Sequence, residues 1–251
     1  MKYTARYFKD SMPEWKRRKD NTLCRFFYRP ISFYVSAFCA NRGINANDVS
    51  YFSALVALLA CVCYLINNYY AQIIGAVLIL VWNILDSADG NLARSVKSQP
   101  FGEFADAVSS YMLVGLMNIC FAVSLYYNGG LWVRQNCWWM IVLGALASES
   151  DTLMRLVYQK YKANERVLAD EGILKIEKDE RTDHSKVNNI KIRVEEELGI
   201  CGWMSAIVLV CTILRTLDVL LLYNVFFYCG ACLITIVIMI KKARKKEKEN
   251  V

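Results

Sequence analysis

The sequence predicts an all-α, polytopic membrane protein with six transmembrane helices and an N-terminal interfacial helix. Three observations carry that expectation. Of the 251 residues, 56% are hydrophobic. They gather into six runs, 49–68, 71–86, 107–127, 137–158, 203–222 and 224–241, each approaching the roughly 20 residues a helix needs to cross a hydrocarbon core. The net charge of +7 is concentrated at the two chain ends, as expected of segments kept on the cytoplasmic side.

The first 48 residues read as a cytoplasmic and interfacial segment. KYTARYFKD and EWKRRKD are basic, and no signal-peptide pattern is expected because the first apolar stretch is interrupted by charge. Residues 29–43, RPISFYVSAFCANRG, are too short to span and mix aromatic with basic side chains, as in a helix lying in the interface. Arg18, Arg25 and Arg29 are expected to snorkel to headgroups. Asn47 or Ser50 is the expected N-cap of the first spanning helix.

Residues 49–241 form the transmembrane domain. The second run is short before its aspartates, so its helix is expected to continue to about residue 95, and Gln99-Pro100 marks the boundary to the next helix. The connections NNYYA (67–71), YNGGLWVRQN (127–136) and a tight turn near Tyr223 contain a single basic residue, Arg134. They are assigned to the far side. The hinge at 94–103 and the charged loop at 159–202 are then cytoplasmic, as are both termini, the latter including the basic tail 242–251. Trp132, Trp138 and Trp139 read as an interfacial belt. The loop is expected to consist of helical extensions joined by a mobile segment.

Several chemistries are disfavoured. Most of the ten cysteines lie in apolar runs, where a thiol behaves as a small hydrophobe. The Cys229-x-x-Cys232 pair falls inside the last run and reads as packing rather than a metal or redox site. His184 is the sole histidine, which argues against a histidine metal site or a Ser-His-Asp triad. Nothing calls for a nucleic-acid partner.

The unusual stretch is DSADGNLARSVKSQPFGEFADAVSS, residues 86–110. Charge at membrane depth is costly and marks a site by default. Asp86 and Asp89 are three residues apart and share a helix face. Gly102, Asp106 and Ser110 follow at four-residue steps, again one face. Two antiparallel helices joined by a short hinge bring these faces together, with Arg94 as the neighbouring cation. Three carboxylates at close range repel, and a divalent cation resolves the conflict. Hard oxygen donors favour Mg²⁺ or Mn²⁺, with Ca²⁺ as a further choice, over zinc. Gly90 and Gly102 leave room for a phosphate or nucleotide beside the backbone. The physical reading is metal-assisted chemistry on a diphosphate at a membrane surface.

These residues resemble the signature of the CDP-alcohol phosphotransferase family, D-x2-D-G-x2-A-R, then G-x3-D-x3-D. Asp86, Asp89, Gly90, Ala93, Arg94, Gly102 and Asp106 fill every fixed position but the last. GINANDVSYFSAL (43–55) and the helix count fit as well. The resemblance implies that Asp86, Asp89 and Asp106 hold one or two metal ions. It further implies that Gly90, Ala93, Arg94 and Gly102 shape a CDP pocket, and that the protein is a homodimer. The implied activity transfers a phospho-alcohol from a CDP-alcohol to a hydroxyl acceptor, lipid or polar, and releases CMP, in the synthesis of phospholipids or related membrane lipids.

The last position, an aspartate that serves the family as metal ligand and base, is Ser110 here. Serine is a poor base near neutral pH. Three readings stay open: an acidic or phosphorylated acceptor that needs little base help, a substitute carboxylate (Glu103, Glu149 or Asp151), or a catalytically silent CDP-binding protein. A cation transporter with buried aspartates is the other rival, and the Gly-x2-Ala-Arg spacing weighs against it. Asp151 and Arg155, four residues apart, read either as a simple ion pair or as a site for an acceptor or diphosphate oxygen.

Overall fold

The computed structural model describes residues 2–173, 197 and 199–249, and among them every regular element is a helix. Thr4 accepts the Tyr7 N–H and opens α1 (Ala5–Asp10). Helix α2 (Glu14–Lys19) starts after Pro13. A single π-helical turn, Cys24–Tyr28, runs into α3 (Arg29–Asn41), and the Arg29 N–H still donates to the Cys24 carbonyl. Gly43, at φ 73°, stops α3 in the left-handed conformation that glycine adopts freely.

The long helices follow: α4 (Ala46–Leu65), α5 (Tyr69–Ser95), α6 (Gly102–Asn128) and α7 (Trp139–Asp170). A second π-helical turn, Ile200–Met204, leads into the short α8 (Ser205–Ile213), and α9 (Leu217–Glu249) closes the chain. Four of these, α4, α5, α6 and α9, are the described helices long and apolar enough to cross a membrane. Helix α7 is long enough, but Glu149, Asp151 and Arg155 interrupt its apolar run. Helix α8 with its π turn is short. Helix α7 does extend past 158, as expected of the charged loop, while His184 and most of that loop lie outside the described residues.

Two expectations about helix boundaries fail. The N-cap of α4 is Asn45, whose side chain accepts the Asp48 N–H at 3.1 Å while the Asp48 carboxylate accepts the Asn45 N–H. This reciprocal cap satisfies two otherwise orphaned donors, and it displaces both Asn47 and Ser50 from the role. The turn placed near Tyr223 lies instead at Leu214–Thr216. Arg215 takes φ 56°, its N–H donates to the Thr212 carbonyl, and the Thr216 N–H reaches back to the Cys211 carbonyl at 2.8 Å. Helix α9 then runs unbroken through Tyr223.

The chain divides into two compact units, with the division falling inside α6 after Leu113. The first holds residues up to 113 and the described part of 183–216. Within it α4 and α5 pack closely because small residues face each other: a Cβ on Gly75 would lie 2.9 Å from the Ala60 carbonyl oxygen and 3.0 Å from Tyr64. Ala57, Ala60 and Ala76 are fully buried beside it. Close backbone approach of this kind is how helices associate where lipid removes the hydrophobic drive. Hydroxyls add ties: Tyr64 to Thr212 at 2.7 Å, Tyr28 to Ser205 at 2.6 Å, and Tyr7 to the Ser95 carbonyl at 2.8 Å. The last of these fixes α1 against the C-terminus of α5.

The second unit holds residues 114–182 and 217–251, described where the structure describes them. A Cβ on Gly144 would lie 2.4 Å from the Ala122 Cβ, so α7 sits directly on α6 there. Asp218 is fully buried and accepts the Trp132 and Val133 N–H groups at 2.7 and 3.2 Å, binding the α6–α7 connection to the start of α9.

Candidate functional site

The motif residues all fall in the first unit. Helix α5 ends in DSADGNLARS, and its 3.6-residue period turns Asp86, Asp89 and Gly90 toward one side. After a six-residue hinge, with Phe101 at φ 60°, α6 begins at Gly102 and presents Asp106 one turn in. Asp86 and Asp106 lie near enough for each carboxylate to feel the other's charge, so the two halves of the motif come together across the hinge. Asp86 is half-buried, Asp106 exposed and Asp89 buried.

Asp89 is held from α4. The Ser50 hydroxyl, itself buried, donates to its Oδ2 at 2.6 Å. One carboxylate oxygen is thereby committed to the protein. The donor set matches a hard divalent cation in its chemistry: three carboxylates from two helices facing one another. Their oxygens do not form a closed three-ligand cluster, nor does any other group of His, Cys, Asp and Glu among the described residues.

Arg94 is exposed, yet its side chain is not extended. Its guanidinium folds back over Gly90, where a Cβ would lie 2.9 Å from Nη1 and 3.0 Å from Nη2. Nη2 donates to Asn91 Oδ1 at 3.2 Å. Ala93 lies half-buried beside it. Gly102 is open by comparison: an added Cβ would meet only Asn47 Oδ1, at 3.7 Å. Asn47 itself donates through Nδ2 to the Pro100 carbonyl at 2.8 Å, tying the start of α4 to the hinge, and its Oδ1 is shielded with no hydrogen-bond partner among the described residues.

Arg29 departs most from expectation. It does not snorkel; it is 6% exposed and grips the Asp20 carboxylate with two 2.8 Å bonds, from Nε to Oδ2 and from Nη2 to Oδ1. Nη1 donates to the Ser87 carbonyl at 3.2 Å and to Asn91 Oδ1 at 3.0 Å. Burial works against its charge, but the Asp20 carboxylate outweighs burial and holds the guanidinium above its ordinary value. Lys16 pairs with the same carboxylate at 3.2 Å. The charges of Lys16 and Arg29 both reach Asp86, so Arg94 is not the sole cation of the site. Asp20, Arg29, Asn47, Ser50 and Asn91 are the residues that sequence reasoning missed or misassigned.

Ser110 lies on the next turn of α6 after Asp106, half-buried, with its hydroxyl donating to the Ala107 carbonyl at 3.2 Å. Glu103 stands exposed in the first turn of α6, and its charge reaches Asp106. Asp151 and Arg155 belong to the second unit. There Arg155 Nε donates to Asp151 Oδ1 at 3.0 Å, and the carboxylate is fully buried. The two thus form an ion pair along the helix, and Glu149 is exposed on the same helix. All ten cysteines are free, including Cys229 and Cys232.

The sequence profile of the CDP-alcohol phosphatidyltransferase family matches residues 44–178, which is more than half of the chain. The chain belongs to that family. CDP-alcohol phosphatidyltransferases carry a phospho-alcohol from a CDP-alcohol donor to an alcohol acceptor, and they generally use divalent metal ions. The matched segment contains α4 to α7 and hence the whole Asp86–Ser110 motif. No curated protein matches the chain.

Proposed function

We propose that this CDP-alcohol phosphatidyltransferase transfers a phospho-alcohol group to a hydroxyl acceptor and releases CMP, as a step in membrane-lipid synthesis. The approach of Asp86 to Asp106 carries the reading: it brings two carboxylates of the motif together from separate helices, with Asp89 on the same stretch of α5 and within reach of both charges. In this proposal Asp86, Asp89 and Asp106 hold one or two Mg²⁺ or Mn²⁺ ions. Bound there, such an ion neutralises diphosphate charge and polarises the phosphorus–oxygen bond.

Gly90 and Gly102 give the CDP-alcohol room against the backbone, with Ala93 beside them. Arg94 grips the diphosphate with its planar fork. Asn47 Oδ1 is an unpartnered acceptor next to Gly102 and suits a donor group on the nucleotide. The acceptor oxygen forms a bond to the phosphorus that carries the alcohol, and the bond from that phosphorus to the bridging oxygen of CMP breaks. The acceptor must also give up its hydroxyl proton. Ser110 is a weak recipient for it, so a second reading, a silent CDP-binding protein, has a specific basis.

The site is proposed to face the cytoplasm, with both termini on that side and α3 in the interface. Six crossings would use α7 and α8 as well. The Asp151–Arg155 pair supports this for α7, because pairing lowers the cost of charge at depth. CMP release by the purified protein, with CDP-diacylglycerol and with soluble CDP-alcohols over a panel of acceptors, tests the activity. Asp89→Asn is expected to abolish metal-dependent CMP release while the protein still inserts and purifies. Full activity of that variant at limiting Mg²⁺ would remove the metal assignment.

A further inference from the structure

The N-terminal segment, which precedes the family-matched residues, lines an open cavity of about 400 Å³. Its floor is buried: Met12, Phe33 and Arg29 are 7%, 8% and 6% exposed. Five cations line it against two carboxylates, Glu14 and Asp20. Both carboxylates are already engaged. Glu14 pairs with Arg18, and Asp20 is shared by Lys16 and Arg29. The remaining three cations, Lys9, Arg17 and Arg25, have no carboxylate partner among the described residues. Two of them are nonetheless held in place. Arg17 donates to the Lys9 carbonyl, and Arg25 donates to the Arg17 carbonyl at 2.7 Å.

A solvated basic surface would explain loose lysines, but not arginines tethered around one cavity with an apolar floor. Arginine's planar fork matches phosphate oxygens in pairs. We propose that this cavity binds a phosphate ester, carried either by a phosphorylated acceptor or by an anionic lipid headgroup, with Arg17, Arg25 and Lys9 on the phosphate. Its back wall is Arg29, which donates to Ser87 and Asn91 on the helix of Asp86 and Asp89. A phosphate held there lies against the elements that position the proposed transfer site. Its role in transfer rests on that reading; the binding itself does not.

The test uses the full-length protein and the exposed pair Arg17 and Arg25. Inorganic phosphate and glycerol 3-phosphate are titrated in detergent, and melting is followed in nanodiscs of phosphatidylcholine with and without phosphatidic acid. Arg17→Gln/Arg25→Gln is expected to weaken the phosphate response by about tenfold or more, the equivalent of one charge-assisted hydrogen bond. Arg17→Lys/Arg25→Lys, which keeps charge but loses the fork, should fall between, and CDP affinity should be unchanged in both.

A response to soluble phosphates supports the phosphorylated-acceptor source, and a response confined to phosphatidic acid supports the headgroup. If neither probe distinguishes wild type from whichever variant folds, the cavity is not a phosphate site. Failure of the wild type to bind CDP would count against the transfer site alone.

Discussion

Arg29 and Arg94 donate to the same oxygen, Oδ1 of Asn91, at 3.0 and 3.2 Å. Two guanidinium groups repel at such range unless something fixes both. Arg29 is locked by Asp20, and the Asn91 amide is oriented from behind, because its Nδ2 donates to Ser32 and Ser36 at 3.0 and 3.3 Å. The carbonyl end must therefore face the arginines. Asn91→Ala removes the shared acceptor. It is expected to weaken CDP binding by about tenfold, since Arg94 loses the bond that holds its fork in place and a charged hydrogen bond is worth roughly 1.5–3 kcal/mol. Calorimetric titration with CDP reads the effect. Unaltered affinity would mean that Arg94 needs no support from Asn91.

Gly90 serves the same arginine sterically. A methyl at this position would meet the guanidinium at 2.9–3.3 Å, and the end of a flexible side chain can move aside. Gly90→Ala is therefore expected to melt close to wild type while losing at least half of the CDP affinity lost by Arg94→Ala. A large drop in Tm together with retained CDP binding would show that the glycine serves packing instead.

In the second unit Glu165 accepts from Lys162 at 2.8 Å and from Lys246, linking α7 to α9 beyond their apolar stretches. Burial pushes this carboxyl up, but the two lysines outweigh it and leave it below the ordinary glutamate value. A carboxyl depressed in the folded state stabilises fully above its unfolded pKa, and that contribution fades as pH falls through the folded value. Glu165→Gln is thus expected to lower Tm at pH 7, and the gap to wild type should narrow on acidification through the carboxyl range. A gap that stays constant from pH 7 to pH 3 would assign the loss to packing.

The carboxylate motif was legible because each of its residues is costly at membrane depth, and four-residue spacing places Asp106 and Ser110 on one face without further knowledge. The end of the expected interfacial helix was legible at Gly43, where the segment 29–43 was bounded and φ is positive; the end of α7 at Gly172 was not marked within the charged stretch 159–202. The turn at Leu214–Thr216 was not, because an arginine occupies the left-handed position and the apolar run continues on both sides. Arg29 was misread for a related reason. Its partner, Asp20, is nine residues away across a π-helical turn, and that spacing matches no helix-face rule. Asn47, Ser50 and Asn91 are common polar residues whose roles appear only once α3, α4 and α5 are packed.

Ser110 is where the site and its family part. Its hydroxyl is bonded to the Ala107 carbonyl one turn back, so its own hydrogen is already spent on the helix. An aspartate at the same place would add a carboxylate one turn beyond Asp106, on the α6 face whose Asp106 already feels the charge of Asp86 from α5. With ordinary alcohol acceptors that carboxylate could take the hydroxyl proton, and Ser110→Asp should raise the rate of CMP release. With an acceptor that itself carries negative charge, the added carboxylate repels it and the rate should fall. The second outcome is expected here. The motif is intact from Asp86 to Asp106, and an acceptor that is acidic or bears a phosphate has less need of a base. Rates for wild type and Ser110→Asp, across neutral and phosphorylated acceptors at saturating Mg²⁺, decide between them. Faster release by the aspartate variant on every acceptor would defeat the fitted-acceptor reading, and no CMP from either protein would leave the silent CDP binder in its place.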